Sequence, residues 1–100
     1  MHNKHKHQNT IDLYRQRMGF SATQVARLMG HSDASTFSDY ERGNRLPSLK
    51  NALRLGIILR VPLEFLFGRL YEQLHAEIRT KEESFAGTDG SELRSNIHRI

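Results

Sequence analysis

Residues 21–48 read SATQVARLMGHSDASTFSDYERGNRLPS, and the order of signals in this stretch decides the fold. Ser21 followed three positions later by Gln24 fits a capping box, in which the hydroxyl accepts from a free amide at a helix start while the glutamine side chain reaches back. Val25, Ala26 and Met29 fall on one face of the helix so begun, which runs to Met29. Gly30 breaks it and permits a left-handed turn. His31, Ser32 and Asp33 form the loop. A third helix is expected from about Ala34 to Arg42, with Phe37 and Tyr40 sharing a face. Gly43 stops it, Asn44-Arg45-Leu46-Pro47 is a linker, and Ser48 caps a fourth helix.

Upstream, a first helix spans roughly Asn9–Met18, with Ile11 and Met18 seven apart on one side and Gly19 at its end. Downstream, Leu49, Ala52, Leu53, Gly56 and Ile57 follow the helical period until near Arg60. Pro62 suits the first turn of a fifth helix, where its missing N–H costs nothing, and Glu64 sits at the positive end of that helix. One further helix is expected from Arg69 to about Lys81, carrying Leu70, Leu74 and Ile78 at steps of four. From Ser84 on, Gly, Ser, Thr and Asp predominate, so a loose end is expected there; Leu93, Ile97 and Ile100 keep only a weak helical spacing. No alternating run signals a strand. The domain plan is therefore a basic, disordered arm over 1–8, an all-α domain over 9–67, an extra helix over 68–83 and a flexible tail over 84–100.

With 100 residues the chain makes one domain with a small core. It has no cysteine, so disulfides, thiolate metal sites and cysteine nucleophiles are excluded together. No apolar run is long enough to span a bilayer, and the polar start MHNKHKHQNT lacks the apolar stretch of a secretory signal. A cytoplasmic protein is expected, with no membrane partner. The net charge is +4 and the pI about 9.9. That charge is uneven: +3 over residues 1–20, +2 over 21–67 and −1 over 68–100. The positive part favours an acidic partner.

Catalysis finds no support. His31, His75 and His98 are isolated from any nucleophile motif, and adjacent Glu82 and Glu83 cannot share a helical face as an acid/base pair. A Gly-rich phosphate loop is absent. His2, His5 and His7 lie in the arm without a further ligand at fixed spacing, so neither metal nor cofactor is expected. The lysines of the arm can still reach phosphate.

The ordered pieces I-x3-R-x2-M-G-F-S-x3-V-A-x2-M-G, then S-T-F-S-x-Y-E-R-G-x-x-x-P-S, then V-P-L-E-F-L, spread over residues 11–67, resemble the Cro/repressor-type helix-turn-helix family, also called XRE-like. The resemblance implies an all-α, five-helix, lambda-repressor-like domain here followed by an additional helix. It implies binding of double-stranded DNA, with the third helix in the major groove and a role in transcription, repression first. By position, Ala34, Ser35, Thr36 and Asp39 would meet base edges, and Thr23, Ser38, Arg42, Asn44 and Arg45 would meet phosphate. Amides at the start of the second helix would help through its dipole. Arg15 and Glu41 match positions that commonly pair inside this family. Asp39 has two readings: it accepts from cytosine N4, or it pairs with a neighbouring cation such as Arg42.

Two departures stand out. The stretch from Gly30 to Glu41 is one residue longer than the commonest family spacing, which extends the turn loop over His31–Ala34. Arg60 stands where the family usually has glycine after the fourth helix, so that end is expected to close differently. Finally, Ile58, Phe65, Phe67, Leu70, Tyr71, Leu74 and Ile78 exceed the needs of a five-helix core. Ile58, Phe65, Phe67, Leu70, Leu74 and Ile78 are expected to line a homodimer interface or to fold the extra helix back. Homodimers of this family set their recognition helices about 34 Å apart, so the operator would be an inverted repeat. The rival reading is an antitoxin or adaptor that uses the same fold to hold a protein partner.

Overall fold

A computed structural model describes residues 8–98, with side chains through residue 86. Of the expected basic arm only Gln8 falls within it; residues 1–7, 99 and 100 lie outside the described residues. The helices are α1 (Ile11–Met18), α2 (Ala22–Leu28), α3 (Ser35–Glu41), α4 (Leu49–Leu59), α5 (Leu63–Leu66) and α6 (Gly68–His98). No strand occurs among the described residues. The chain forms two units, one ending at Leu70 and one beginning at Tyr71.

In the first unit the core is Ile11, Val25, Ala26, Met29, Phe37, Tyr40, Ala52, Leu55, Leu59, Leu66 and Phe67. Each helix sends one apolar face to it, and none of the buried residues there is charged. The start of the domain is tied across its width by two residues. Thr10 N–H donates to Leu66 O at 3.0 Å and its hydroxyl to Phe65 O at 2.7 Å. Asn9 accepts from Ile11 N–H at 2.9 Å and donates through Nδ2 to Tyr40 O at 2.9 Å. The free amide at the start of α1 is thus met locally, and carbonyls at the ends of α3 and α5 are satisfied by chain far away in sequence.

Helix ends close as the local residues dictate, with one instructive case. At α2, Gly30 takes φ +89°. His31 N–H then reaches Ala26 O and Gly30 N–H reaches Arg27 O, each at 2.9 Å, the paired bonds of a Schellman turn. A Cβ at φ +89° would be strained, so glycine is required there. The end of α4 was expected to close differently because arginine replaces glycine. It does not: Arg60 adopts φ 59° and ψ 45°, and Val61 N–H donates to Gly56 O at 3.1 Å. The left-handed closure survives because α5 must start at once, with Pro62 as its N-cap, and the strain is absorbed by Arg60.

Two expectations need correction. The face of α4 that meets the core is Ala52, Leu55 and Leu59, whereas Leu49, Leu53 and Ile57 are exposed, Leu49 at 73% and Ile57 at 77%. The helix is apolar nearly all round, so periodicity alone could not choose the inner side; contact with α1 and α5 does. The loose stretch expected from Ser84 is also revised, because α6 continues to His98. No proline interrupts residues 68–98, and beyond the helix's first residue, Gly68, the two glycines Gly87 and Gly90 weaken a helix without breaking it. In this second unit the helix carries i,i+3 and i,i+4 ion pairs, Arg79–Glu82 at 2.9 Å and Lys81–Glu77 at 3.8 Å. Among the described residues no helix is long and apolar enough to cross a membrane.

Candidate nucleic-acid interface

The interface is built from α2 upward. Ser21 Oγ accepts from Gln24 N–H at 3.1 Å while Ser21 N–H donates to Gln24 Oε1 at 2.8 Å, the reciprocal capping box. This fixes where α2 begins and leaves Thr23 exposed in its first turn. Val25, Ala26 and Met29 then offer α3 a buried floor, on which Phe37 and Tyr40 rest.

The turn loop is His31–Ala34, so the extra residue is absorbed before the helix starts. Ala34 precedes α3 as its N-cap position but carries no capping side chain. Asp33 supplies the cap from one residue earlier. Its Oδ1 accepts from Ser35 N–H at 2.9 Å and from Ser35 Oγ at 2.6 Å, an Asx turn. The Ser35 hydroxyl and then its amide hold the Asp33 carboxyl below the usual carboxylate range, with a smaller contribution from the charge of His31. The Ser35 hydroxyl hydrogen is therefore already directed at Asp33, and its oxygen is left to accept.

With Phe37 and Tyr40 facing inward, Ser35, Asp39 and Arg42 fall on the opposite ridge at i, i+4 and i+7. Thr36 and Ser38 flank that ridge, each half-buried. Ala34 is half-buried and packs partly against the core. Beyond Gly43, Asn44 and Arg45 are exposed, as is Arg42. Asp39 does not stand alone: Arg42 Nη2 lies 4.0 Å from its Oδ1 and Arg45 Nη2 lies 3.8 Å from its Oδ2.

The far end of α3 is anchored by Arg15. Its Nε donates to Glu41 Oε2 at 2.6 Å, its Nη1 to Phe20 O at 3.0 Å and its Nη2 to Asp12 Oδ1 at 3.1 Å. The Arg15 and Glu41 side chains are only 18% and 15% exposed, so each charge has its partner where water is scarce.

The sequence profile of the helix-turn-helix family, Cro/C1-type and XRE-like, matches residues 11–66. The chain belongs to the Cro/C1-type helix-turn-helix family. No curated protein matches it. As a Cro/C1-type helix-turn-helix it is a DNA-binding protein of a regulatory class, with the lambda-repressor-like fold. In this family frame α2 and α3 are the two helices of the motif, joined by the Gly30 turn.

Sequence reasoning missed a polar contact within this Cro/C1-type domain. Asn51, in the first turn of α4, donates through Nδ2 to the Tyr40 hydroxyl at 3.0 Å, while its Oδ1 accepts from Arg54 Nη1 at 2.8 Å. Tyr40 thus serves twice, as a core side chain and as a polar link to α4. A tyrosine in place of phenylalanine at a core position was the available signal, since a buried hydroxyl needs a partner. The residue that answers it could not be read from spacing.

The apolar surplus also distributes differently from expectation. Ile58 and Leu70 pack partly against the core and Phe67 is buried within it, so these three serve the domain itself. Phe65 is exposed on α5, as are Leu74 and Ile78 in the second unit.

Proposed function

We propose that this protein is a sequence-specific transcriptional repressor of the cytoplasm that lays α3 in the major groove of double-stranded DNA and acts as a homodimer on an inverted repeat. The observation that carries the reading is the α3 ridge: Ser35, Asp39 and Arg42 outward, with Arg45 beside them, on a helix whose other side is seated on α2 through Phe37 and Tyr40. A helix seated in this way can present its outward residues to base edges in one register. Ser35, Thr36 and Asp39 would read bases, while Thr23, Ser38, Arg42, Asn44 and Arg45 would contact phosphate. Ala34, half-buried before α3, would add its methyl to the base contacts, and Arg15 with Glu41 keeps the end of α3 in place.

Self-association is supported by the exposed apolar stripe of α4, Leu49, Leu53 and Ile57 at steps of four, together with Phe65 on the neighbouring α5. Apolar area of this kind on a small domain is commonly covered by a partner. In the second unit, Tyr71, Leu74, Ile78 and Phe85 recur at steps of three, four and seven, each about half exposed, a pattern that suits helix pairing.

Fluorescence anisotropy with a mixed pool of duplexes tests the reading. Binding should weaken steeply as salt rises, because each neutralised phosphate releases counterions. The pair Arg42→Ala with Arg45→Ala should abolish most of it. Absence of salt-dependent binding, with another protein co-purifying stoichiometrically, would establish the adaptor or antitoxin reading instead. Sedimentation tests the dimer: a strict monomer at tens of micromolar, with and without DNA, removes it, and Ile57→Glu should shift a dimer towards monomer.

A further inference from the structure

Asp39 sits where a DNA reader would least be expected to keep an acid, in the middle of the outward α3 ridge between Ser35 and Arg42. Its side chain is 34% exposed. Its two carboxylate oxygens face two different cations, Arg42 at 4.0 Å and Arg45 at 3.8 Å, and both arginine side chains are well exposed. Pairs of this length and exposure are weak and exchange readily with solvent or with another anion. The same two guanidinium groups are the ones placed to meet phosphate. The carboxylate and the DNA backbone therefore compete for them.

We propose that Asp39 is the specificity-determining residue of the interface, drawing Arg42 and Arg45 off phosphate on sequences that offer it no donor and accepting from a cytosine 4-amino group on those that do. The inference rests on the reading of α3 as the groove-facing helix. Its physical basis is the balance of charge in the groove. A carboxylate brought between phosphates is repelled, and guanine and thymine present it only acceptors or a methyl group. Cytosine presents an amino donor, and adenine presents one beside its N7 acceptor, which repels the carboxylate again. On a duplex without cytosine at that position, Asp39 keeps its hold on the arginines and two phosphate contacts are weakened. On a duplex with cytosine, Asp39 is satisfied by the base, and the arginines are released to the backbone. One acid thus penalises wrong sequences as well as rewarding the right one, which is how specificity is raised without raising overall affinity.

The test compares wild type with Asp39→Asn and Asp39→Ala, each folded by circular dichroism, on random duplexes and on duplexes selected from a random pool. Removing the charge should tighten binding to random duplexes about tenfold at low salt and should steepen the dependence of log K on log salt by about one to two. Sequences selected by wild type should show a fixed cytosine in each half-site that disappears from the sequences selected by Asp39→Ala, which offers no acceptor. If wild type binds DNA and both variants bind random duplexes equally or more weakly, the inference is overturned while the DNA reading stands. If the sequences selected by Asp39→Ala keep the same cytosine, it is overturned as well. Wild type that shows no salt-dependent binding would overturn the DNA reading itself, and this inference with it.

Discussion

At its C-terminal end α3 is fastened by residues from distant parts of the chain: Asn9 and Asn51 reach Tyr40, and Arg15 reaches Glu41. Its N-terminal end rests on a neighbour, Asp33, whose carboxylate receives the amide and hydroxyl of Ser35. Long-range contacts fix the roll and depth of the helix relative to the domain, because α1 and α4 cannot shift without losing core packing. The local polar contacts fix where the first turn begins, while Phe37 and Ala34 pack it onto the core. The end that would meet bases first is therefore the more adjustable in its polar restraints, although Phe37 seats it on the core, and the far end is the more rigid. An extra residue in the turn loop can be accepted for this reason: it falls on the locally held side, and Phe37 and Tyr40 still reach their seats.

The largest effect should come from breaking the rigid end. Arg15→Ala strands Glu41 in a site where it is only 15% exposed and also removes the donor to Phe20 O. The loss should be about 2 kcal/mol, below the range for fully buried pairs because some water reaches both groups. Thermal unfolding should show it as a fall in Tm of roughly 8–16 °C. Glu41→Gln, which keeps an acceptor for Arg15, should cost clearly less.

A second pair of variants sharpens the same point with a smaller change. Tyr40→Phe and Asn51→Ala should each cost about 1 kcal/mol, since each leaves one polar partner without its bond. Their double variant should cost less than the sum in denaturant unfolding, because the two act through one hydrogen bond. Strict additivity would mean that the Asn51 side chain serves α4 through its contact with Arg54 alone and does not restrain α3.

Arg60→Gly offers a control remote from α3. It relieves a left-handed arginine while making the unfolded chain more flexible, so a net gain of about 0.5–1 kcal/mol is expected from Tm. That gain should leave the DNA affinity of the protein unchanged.

The smallest effect on global stability belongs to the adjustable end. The folded Asp33 carboxyl titrates below its unfolded counterpart, so its contribution is present above the usual carboxylate range and is lost as pH falls through the folded value. Amide exchange at Ser35 and Thr36 should therefore quicken, relative to the core amides of α2, as pH drops below about 4. Asp33→Ala should reproduce this at neutral pH, with DNA binding affected more than Tm. An equal fall in Tm and affinity would show that the two ends of α3 do not differ in the way described.

Much of the fold was legible because its signals are local. The Ser21/Gln24 capping box, the Gly30 closure and the Ser48 cap act within a few residues and occur as their sequence demands. The Arg15–Glu41 contact was reached through family resemblance, since nothing in the spacing joins positions 26 apart. The contacts of Asn51 and Asn9 with Tyr40, and the bracketing of Asp39 by Arg45 as well as Arg42, were not legible. They depend on where separate segments meet, and a polar side chain in sequence does not announce its partner.

By itself, then, the sequence determined that this is an all-α helix-turn-helix protein, where each of its first five helices starts to within about two residues, and which charges gather near α3. The tertiary structure alone decided which side of α4 is buried, how far α6 extends, and that the Ser35 hydroxyl and the Asp39 carboxylate are already engaged before any partner arrives. The physical reason is range. Caps, turns and periodicity are settled by the backbone's own neighbours, whereas the choice between two apolar faces, or between two cations for one acid, is settled by free energies of contact that exist only after the helices have packed.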